Sequence, residues 1–466
     1  MLIPGQHIHI VGIAGFGMSA IARVLVEHGY KVSGSDQQTN ALVQALQQEG
    51  VTVYQGHRAE NIDGAEMVIF SSAVPENNPE IQAARHRRIQ VMNRREFMPI
   101  MMEGQQTIGI AGTHGKTTTT AMLTHVLIEA GMEPSYIVGG VMRNNGRNAG
   151  AGSGEHFIIE ADEYDNMFLG LQPAIAVINN IEYDHPDFFL TPADMLKAFQ
   201  TYANRVEPEG LLVVNADDDV ARTLGEERRA NLQEVQMYGI ENNAADYWAT
   251  DLKPLPNGGM EFMVSQGAVT GGLIGKVKIL LPGRHNVQNA MGVITVARHL
   301  GVAFEVIVDA LATFKGTGRR SEVMGVAGGV TVINDYAHHP TAIRVTLKAW
   351  RDQPGIRELW AVWQPHTYSR TRSLADIFKG SFNSAHHALV TDIYAAREKA
   401  SPGLMAKDMV GMIQSSGHPD ARYSGDLLDT AQILANEVKP GDVVVLLTAG
   451  DAPRIGQALL DVLKKR

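Results

Sequence analysis

The feature that most constrains this chain is a glycine-bearing turn, Gly112 to Thr117, placed between an apolar strand and a helix-like segment. Backbone N–H groups of such a turn, with the N-terminus of the helix, can bind phosphate oxygens, while the lysine reaches the terminal phosphates and the hydroxyl holds Mg²⁺. The strict P-loop has a glycine where this chain has Ile110, so we interpret the turn as a shortened variant. It predicts an α/β fold that binds a nucleoside triphosphate.

An alternation of apolar strands and helical segments begins three times along the 466 residues, the second and third times at Thr107 to Ala111 and Thr331 to Tyr336. A prior of about 150 residues per domain also gives about three domains. We interpret Leu252 to Gly275 as a Gly/Pro-rich meander within the central one. The chain is thus predicted to be α/β, with Rossmann-like first and last domains around a P-loop-type central domain that has a mostly parallel sheet, over residues 1–103, 104–315 and 316–466.

Composition argues against several classes of function. Forty basic residues against 50 acidic residues give a net charge of −10, contrary to the basic face of a nucleic-acid-binding protein. The chain has no cysteine, which removes disulfides and thiolate metal sites and is typical of a reducing compartment. Apolar runs such as Val443 to Leu447 are far shorter than the ~20 residues that span a bilayer. We expect a cytoplasmic protein with neither a nucleic-acid nor a membrane partner.

A second glycine turn follows the first strand, where Gly12, Gly15 and Gly17 precede an acidic residue, Asp36, at the end of the next strand. This order is typical of a dinucleotide-binding unit, in which the acid meets a ribose hydroxyl. Ala14 stands at the middle glycine position, however, and its methyl group would hinder the approach of a pyrophosphate. A nucleotide or nucleotide-sugar site and a turn that only tightens packing both remain open.

Acidic segments follow two strands of the central region. Glu160 to Asp165 carries four carboxylates, and Asn180 to His185 follows the next strand in the same way. One carboxylate and one imidazole from neighbouring strand ends, with a loop threonine, are suited to a hard cation that keeps water and phosphate as its other ligands. The predicted metal ligands are Thr117, Glu160 and His185.

Seven segments of the chain resemble motifs of the Mur ligase family and occur in the same order: Gly112–Thr120, Glu160–Asp165, Asn180–His185, Arg284–Asn289, Gly316–Arg320, Asp335–Pro340 and Gln364–Arg372. The resemblance implies an ATP-dependent carboxylate–amine ligase of peptidoglycan precursor synthesis, whose three α/β domains bind a UDP-sugar, ATP and an amino acid. Among family members the chain is most similar to those that join L-alanine to the lactyl carboxylate of UDP-N-acetylmuramate. ATP and Mg²⁺ are the implied cofactors, and we expect a monomer or a homodimer.

The resemblance also implies roles for individual residues. ATP would be bound by Gly112, Thr113, His114, Gly115, Lys116, Thr117, Thr118, Asn289, Arg320 and Asp335. The UDP-sugar would face Gly15, Ser35, Asp36, His57, Ser71 and Ser72. Catalysis would depend on Lys116, Arg320, His366 and Arg370, the last two at the amino-acid pocket.

Departures from the family pattern keep two alternatives open. Tyr164 stands where the alanine-adding ligases usually have serine, and so favours a recycling ligase that adds a preformed peptide to the same UDP-sugar. Gln364 to Arg372 favours the alanine-adding ligases. A NAD-dependent oxidoreductase using Gly12 to Gly17 would leave Lys116 without a role. Sibling ligases carry a carbamylated lysine where this chain has Gln200, so no such group is predicted.

Overall fold

The computed structural model describes residues 2–256, 258–267, 272–396, 398–399, 403 and 405–465. The chain divides into two compact units. Unit 1 comprises Met1–Ile181, Leu196–Gly239 and Gly292–Ala310, and unit 2 comprises Glu182–Met195, Ile240–Met291 and Leu311–Arg466. No helix among the described residues is long and apolar enough to cross a membrane.

The first sheet of unit 1 is parallel, with strand order β3-β2-β1-β4-β5. Its elements are β1 (His7–Val11), α1 (Phe16–Glu27), β2 (Lys31–Asp36), α2 (Ala41–Gln48), β3 (Thr52–Gln55), β4 (Met67–Phe70), α3 (Pro79–His86), β5 (Gln90–Asn93) and α4 (Arg94–Met101). β1 and β4 are buried along their whole length, as expected for a parallel sheet covered on both faces. The strands β2 and β3 lie on one side of β1, and β4 and β5 lie on the other, so the strand order reverses between β1 and β4. Ligands of open α/β sheets bind at such a switch point.

The second sheet of unit 1 contains the strand that precedes the phosphate turn. Its order is β12-β11-β10-β6-β9-β7-β8, parallel except for the short β7–β8 pair. The elements here are β6 (Gln106–Ala111), α5 (Lys116–Glu129), β7 (Ser135–Ile137), β8 (Ala149–Gly150), β9 (His156–Glu160), β10 (Ile175–Ile178), α6 (Pro192–Ala203), β11 (Leu211–Asn215), α7 (Asp219–Ala230) and β12 (Val235–Ile240). A buried hydrogen bond from Arg23 Nη1 to Asn148 Oδ1, 3.0 Å long, joins α1 to this region.

Unit 2 begins its sheet structure with three antiparallel strands, β13 (Tyr247–Pro254), β14 (Met260–Gln266) and β15 (Gly272–Ile279). Burial alternates along β13 and β14, so one face packs and the other meets solvent. The described part of Leu252 to Gly275, which we interpret as a Gly/Pro-rich meander, lies in these antiparallel strands and their turns; residues 257 and 268–271 lie outside the described residues.

The second sheet of unit 2 has the order β16-β17-β21-β18-β19-β20 and is parallel apart from the β16–β17 hairpin. The remaining elements are α8 (Arg284–His299), α9 (Phe304–Thr313), β16 (Glu322–Ala327), β17 (Val330–Asp335), α10 (Pro340–Arg351), β18 (Leu359–Trp363), α11 (Tyr368–Ser373), α12 (Ala375–Phe378), β19 (His387–Thr391), α13 (Ala406–Ser415), β20 (Ala421–Gly425), α14 (Leu427–Glu437), β21 (Val443–Leu447) and α15 (Pro453–Leu463). Alternate residues of β18 enter two different hydrophobic clusters, because helices cover both faces. The predicted α/β class with mostly parallel sheets is confirmed.

Candidate functional site

The turn between β6 and α5 needs glycine at two positions. Gly112 has φ of 136° and Gly115 has φ of 84°, both in the region that favours glycine. A Cβ atom on Gly112 would also lie 3.0 Å from the Cβ of Asn179. The turn is held from the end of β10, since the N–H of His114 donates to Asn180 Oδ1 at 2.8 Å. This local geometry places Lys116 and Thr117 at the first positions of α5.

Lys116 is held in the turn by a buried carboxylate. Its Nζ lies 2.6 Å from Glu163 Oε2 and donates to the carbonyl of Gly112 at 2.6 Å. Burial alone would lower the pKa of Lys116, but the carboxylates of Glu163, Asp162 and Glu160 raise it. Burial raises the pKa of Glu163 to about 7, although Lys116 acts against that rise. The lysine is therefore a cation at the phosphate turn, and Glu163 is a partner that the sequence did not single out.

Two of the predicted metal ligands meet in unit 1. Thr117 Oγ1 lies 3.2 Å from Glu160 Oε2, and the N–H of Gly139 also donates to Glu160. The third ligand, His185, belongs to unit 2, where its N–H donates to Asp184 Oδ1 at 2.7 Å. Glu160 ends β9 and His185 follows β10, but β6 lies between these strands in the sheet. Our expectation of neighbouring strand ends is thus wrong, because strand order is set by long-range pairing and differs from chain order.

Three of the residues predicted to bind ATP lie in unit 2: Asn289, Arg320 and Asp335. Asp335 ends β17 and accepts hydrogen bonds from the N–H groups of Ser321 and Ala337 at 2.7 and 2.8 Å. Burial raises the pKa of Asp335, while Arg320 acts to lower it. The guanidinium of Arg320 lies 4.9 Å from the ring centroid of Tyr336. Asn289 is buried on α8.

The predicted amino-acid pocket contains an ion pair. Arg370 Nε and Nη2 each lie 3.1 Å from Asp184 Oδ1, and both side chains are buried. Burial alone would raise the pKa of Asp184, but Arg370 holds it well below the usual range. Arg370 Nη1 donates to His366 Nδ1 at 3.3 Å. A guanidinium only donates, so this nitrogen accepts and the neutral imidazole carries its proton on Nε2. In this geometry the Nε2–H of His366 is a hydrogen-bond donor.

The residues predicted for the UDP-sugar gather at the carboxyl edge of the first sheet. The backbone N–H of Ala14 donates to Asp36 Oδ2 at 3.0 Å, so this acid holds the turn. The N–H of Gly12 donates to the carbonyl of Ser35 at 2.8 Å. Ser35 Oγ in turn lies 2.9 Å from His57 Nδ1. Gly15 caps α1, Ser71 follows β4 beside Gly12, and Ser72 is exposed.

These features define the class of protein first. The glycine turn lies between a parallel strand and a helix, and lysine and threonine are the first residues of that helix, with a carboxylate beside them. This arrangement is typical of a P-loop-type α/β protein. Within that class the chain belongs to the Mur ligase family. The matching family descriptions are "Mur ligase family, catalytic domain" over residues 7–106, "Mur ligase middle domain" over 110–297, and "Mur ligase, glutamate ligase domain" over 319–450. The resemblance noted in the sequence is confirmed.

Relatives and solved structures resemble the chain over nearly its whole length. A UDP-N-acetylmuramate–L-alanine ligase of Roseiflexus sp. is 39% identical over 99% of this chain and 100% of its own. The ligase of the same name from Salinibacter ruber is 40% identical over 98% and 95%. The crystal structure of UDP-N-acetylmuramate–alanine ligase MurC from Thermotoga maritima has a TM-score of 0.81 at 26% identity, covering 98% of each chain. A murein peptide ligase from Psychrobacter arcticus has a TM-score of 0.71 at 26% identity, covering 99% of each.

Proposed function

We propose that this chain is an ATP-dependent ligase that joins L-alanine to the lactyl carboxylate of UDP-N-acetylmuramate in peptidoglycan precursor synthesis. The phosphate turn with Lys116 and Thr117 at the start of α5 is the observation that carries the proposal. The names of relatives aligned over nearly their full lengths support the choice of substrates. Residues 1–103 would bind the UDP-sugar, 104–315 ATP, and 316–466 the amino acid.

The reaction needs ATP because a carboxylate at neutral pH is a poor electrophile toward an amine. The lactyl carboxylate would attack the γ-phosphorus, displacing ADP and forming an acyl phosphate. The amine of L-alanine would then attack the acyl carbon and expel phosphate. Lys116 and Arg320 would stabilise the charge on the transferring phosphoryl group, which is the main requirement of such chemistry. The pair with Glu163 keeps Lys116 charged until a phosphate competes for it.

Mg²⁺ fits the donor set of the phosphate turn. The Thr117 hydroxyl and the Glu160 carboxylate are hard oxygen donors 3.2 Å apart, and His185 would complete the protein ligands. When bound there, Mg²⁺ would neutralise charge on the terminal phosphates of ATP. Thr117 and Glu160 would hold the ion at the start of α5, where the helix N-terminus also favours phosphate.

The acceptor pocket would be formed around His366 and Arg370. Because Asp184 occupies the Nε and Nη2 side of the guanidinium, the acceptor carboxylate would meet the remaining Nη1 edge. His366 would donate a second hydrogen bond to that carboxylate from Nε2. The stacked ring of Tyr394, whose centroid lies 5.8 Å from that of His366, restricts the rotation of the imidazole.

Incubation of the protein with ATP, Mg²⁺, UDP-N-acetylmuramate and one acceptor at a time tests the proposal. Phosphate release and product mass are followed for L-alanine, glycine, L-serine and a preformed tripeptide. We expect efficient turnover with L-alanine and a product heavier by one alanine residue. Turnover with the tripeptide alone would favour the recycling ligase, for which Tyr164 is the specific observation. Tight NADH binding without phosphate release would favour the oxidoreductase.

A further inference from the structure

The helix that carries Arg370 begins in a strained turn. This helix, α11 (Tyr368–Ser373), is only six residues long, and a helix this short depends on tertiary contacts for its stability. Thr367, at its N-cap, has φ of 63° and ψ of 146°, a backbone conformation that a β-branched residue rarely adopts. Such strain persists only where the surrounding structure holds it. The position of Arg370 therefore depends on the contacts that hold the start of α11.

A carboxylate from a later part of the chain holds this start. Glu398 Oε2 accepts hydrogen bonds from the backbone N–H groups of Tyr368 and Ser369 at 2.6 and 3.1 Å. Glu398 Oε1 accepts from the hydroxyl of Ser369. The backbone N–H of Glu398 donates to the carbonyl of Ala395 at 2.9 Å, so this residue is itself held in a turn. Both oxygens of Glu398 thus bind the first two residues of α11.

The start of a helix leaves four backbone N–H groups without a partner inside the helix, and in α11 each of them has a partner. The N–H groups of Tyr368 and Ser369 donate to Glu398. That of Thr367 donates to the carbonyl of Tyr394 at 2.9 Å, and that of Arg370 donates to Thr367 Oγ1 at 3.4 Å. Tyr394 and Glu398 therefore satisfy most of the start of α11 and hold the strained residue in place.

Tyr394 also contacts the other residue of the predicted acceptor pocket. Its ring stacks on that of His366, and its N–H donates to the carbonyl of Pro365 at 2.8 Å. The ion pair with Asp184 holds the Nε and Nη2 side of the Arg370 guanidinium, while Nη1 donates to His366 Nδ1 at 3.3 Å. The direction of Nη1 therefore depends on where α11 begins relative to His366.

We propose that Glu398 is a positioning residue of the acceptor pocket, which fixes the start of α11 so that Nη1 of Arg370 faces the carboxylate of the bound amino acid. The inference rests on the proposed function, which supplies that ligand. The effect of Glu398 on the amino acid passes through Arg370, because its own oxygens bind Tyr368 and Ser369. Glutamine at this position would have one oxygen acceptor and an amide group that donates, so it cannot reproduce these contacts.

Steady-state kinetics of wild type, Glu398→Gln, Arg370→Lys and the double variant test the inference, with each substrate varied in turn. We expect Glu398→Gln to raise the KM for L-alanine about 10-fold, at the lower end of the range for a lost charge-assisted hydrogen bond. The KM values for ATP and UDP-N-acetylmuramate, and kcat at saturating L-alanine, should stay close to wild type. In the Arg370→Lys background, Glu398→Gln should raise the KM for L-alanine little further, because the guanidinium that it positions is already lost.

Asp426→Asn is the matched control for a change at a helix start. Asp426 accepts from the N–H groups of Leu428 and Asp429 at 2.8 and 2.9 Å at the start of α14, in the same compact unit. This variant makes the same chemical change outside the acceptor pocket, so the KM for L-alanine should keep its wild-type value. An equal rise in that KM in Asp426→Asn, or a rise in the KM values of all three substrates in Glu398→Gln, would overturn the inference.

A milder variant keeps the inference testable if Glu398→Gln fails to fold. Ser369→Ala removes the hydroxyl that donates to Glu398 Oε1, and it should raise the KM for L-alanine by a smaller factor while the KM for ATP stays unchanged. A folded Ser369→Ala variant with an unchanged KM for L-alanine would then contradict the inference. Wild-type turnover together with an unaltered KM in Glu398→Gln contradicts this inference alone, whereas a wild-type protein that releases no phosphate with L-alanine contradicts the proposed function and this inference with it.

Discussion

At the phosphate turn, the sequence motif predicts the residues of the turn itself but not the distant residue that pairs with its lysine. The order of glycine, lysine and threonine follows from local backbone requirements, so Gly112, Gly115 and Lys116 are predictable from sequence. Glu163 was only one of four acidic residues in its segment, and nothing in the spacing marked it as the partner of Lys116. Lys116 and Glu163 are 47 positions apart in the chain, and only the fold brings them together; the motif carries no information about that pairing.

Replacing Lys116 tests its proposed role in phosphoryl transfer. Lys116→Ala should lower kcat by about 10²- to 10⁵-fold, because it removes a positive charge from the phosphate-binding turn. Lys197→Ala, which removes an exposed lysine of α6, is the matched control and should retain wild-type turnover. Steady-state phosphate release measures both. A folded Lys116→Ala variant with near-normal kcat would exclude the role.

Arg370 is predicted to act on the acceptor and not on the nucleotides. Arg370→Lys loses the planar fork that now spans Asp184 and His366, and a lysine cannot reproduce such geometry. The KM for L-alanine should rise while the KM values for ATP and UDP-N-acetylmuramate stay close to wild type. Initial rates with each substrate varied in turn provide the measurement. An unchanged KM for L-alanine would remove Arg370 from the pocket.

At the scale of elements, local patterns predicted most strands but not their pairing. The buried parallel strands are short apolar runs bounded by turns, as in β18 and β21, and such runs are visible in sequence. The strands β13 to β15 are half-exposed, and glycines and a proline lie within β13 and β15, so their strand pattern is harder to see in the sequence than in the burial of the folded chain. The position of β6 between β9 and β10 depends on contacts distant in sequence.

Two buried tyrosines provide a matched test of packing around the central sheet. Among the described residues, the Tyr202 hydroxyl of α6 has no hydrogen-bond partner, whereas Tyr238 of β12 donates to Asn179 Oδ1 at 3.0 Å. Tyr238→Phe should lower the free energy of unfolding by about 1–3 kcal/mol, because the buried Oδ1 of Asn179 loses its hydrogen-bond donor. Tyr202→Phe should be neutral or stabilising. Urea denaturation of both variants measures the difference, and equal losses would contradict the expected contrast.

For the whole molecule, the sequence is a better guide to the site residues than to the buried side chains that contact them. The family resemblance supplied site residues from Gly15 to Arg370, and the fold class followed from three repeated strand–helix alternations. No motif in the sequence marks Glu80 or Asp184 as a site residue, although each is a buried carboxylate that contacts a predicted residue. Their importance comes from burial and hydrogen bonding, and neither is visible in a linear motif.

These two carboxylates predict how the protein responds to acid, one in each compact unit. The pKa of Glu80 is lowered from 4.5 to about 2, and that of Asp184 is also lowered. A carboxyl group with a lowered native pKa stabilises the fold above its unfolded pKa, and this contribution disappears as pH falls through the native value. For Glu80 the shift corresponds to about 3 kcal/mol.

The acid dependence is measured by urea denaturation of wild type and Glu80→Gln between about pH 5 and about pH 2. Glu80→Gln should be less stable at the upper end, where the wild-type carboxylate is ionised and fully hydrogen-bonded. The difference in unfolding free energy should shrink by up to about 3 kcal/mol toward the lower end, as wild-type Glu80 becomes protonated. Glu76→Gln should keep a constant difference from wild type, because its carboxylate is 64% exposed. A Glu80→Gln difference that stays constant over this range would show that Glu80 is not ionised in the native protein.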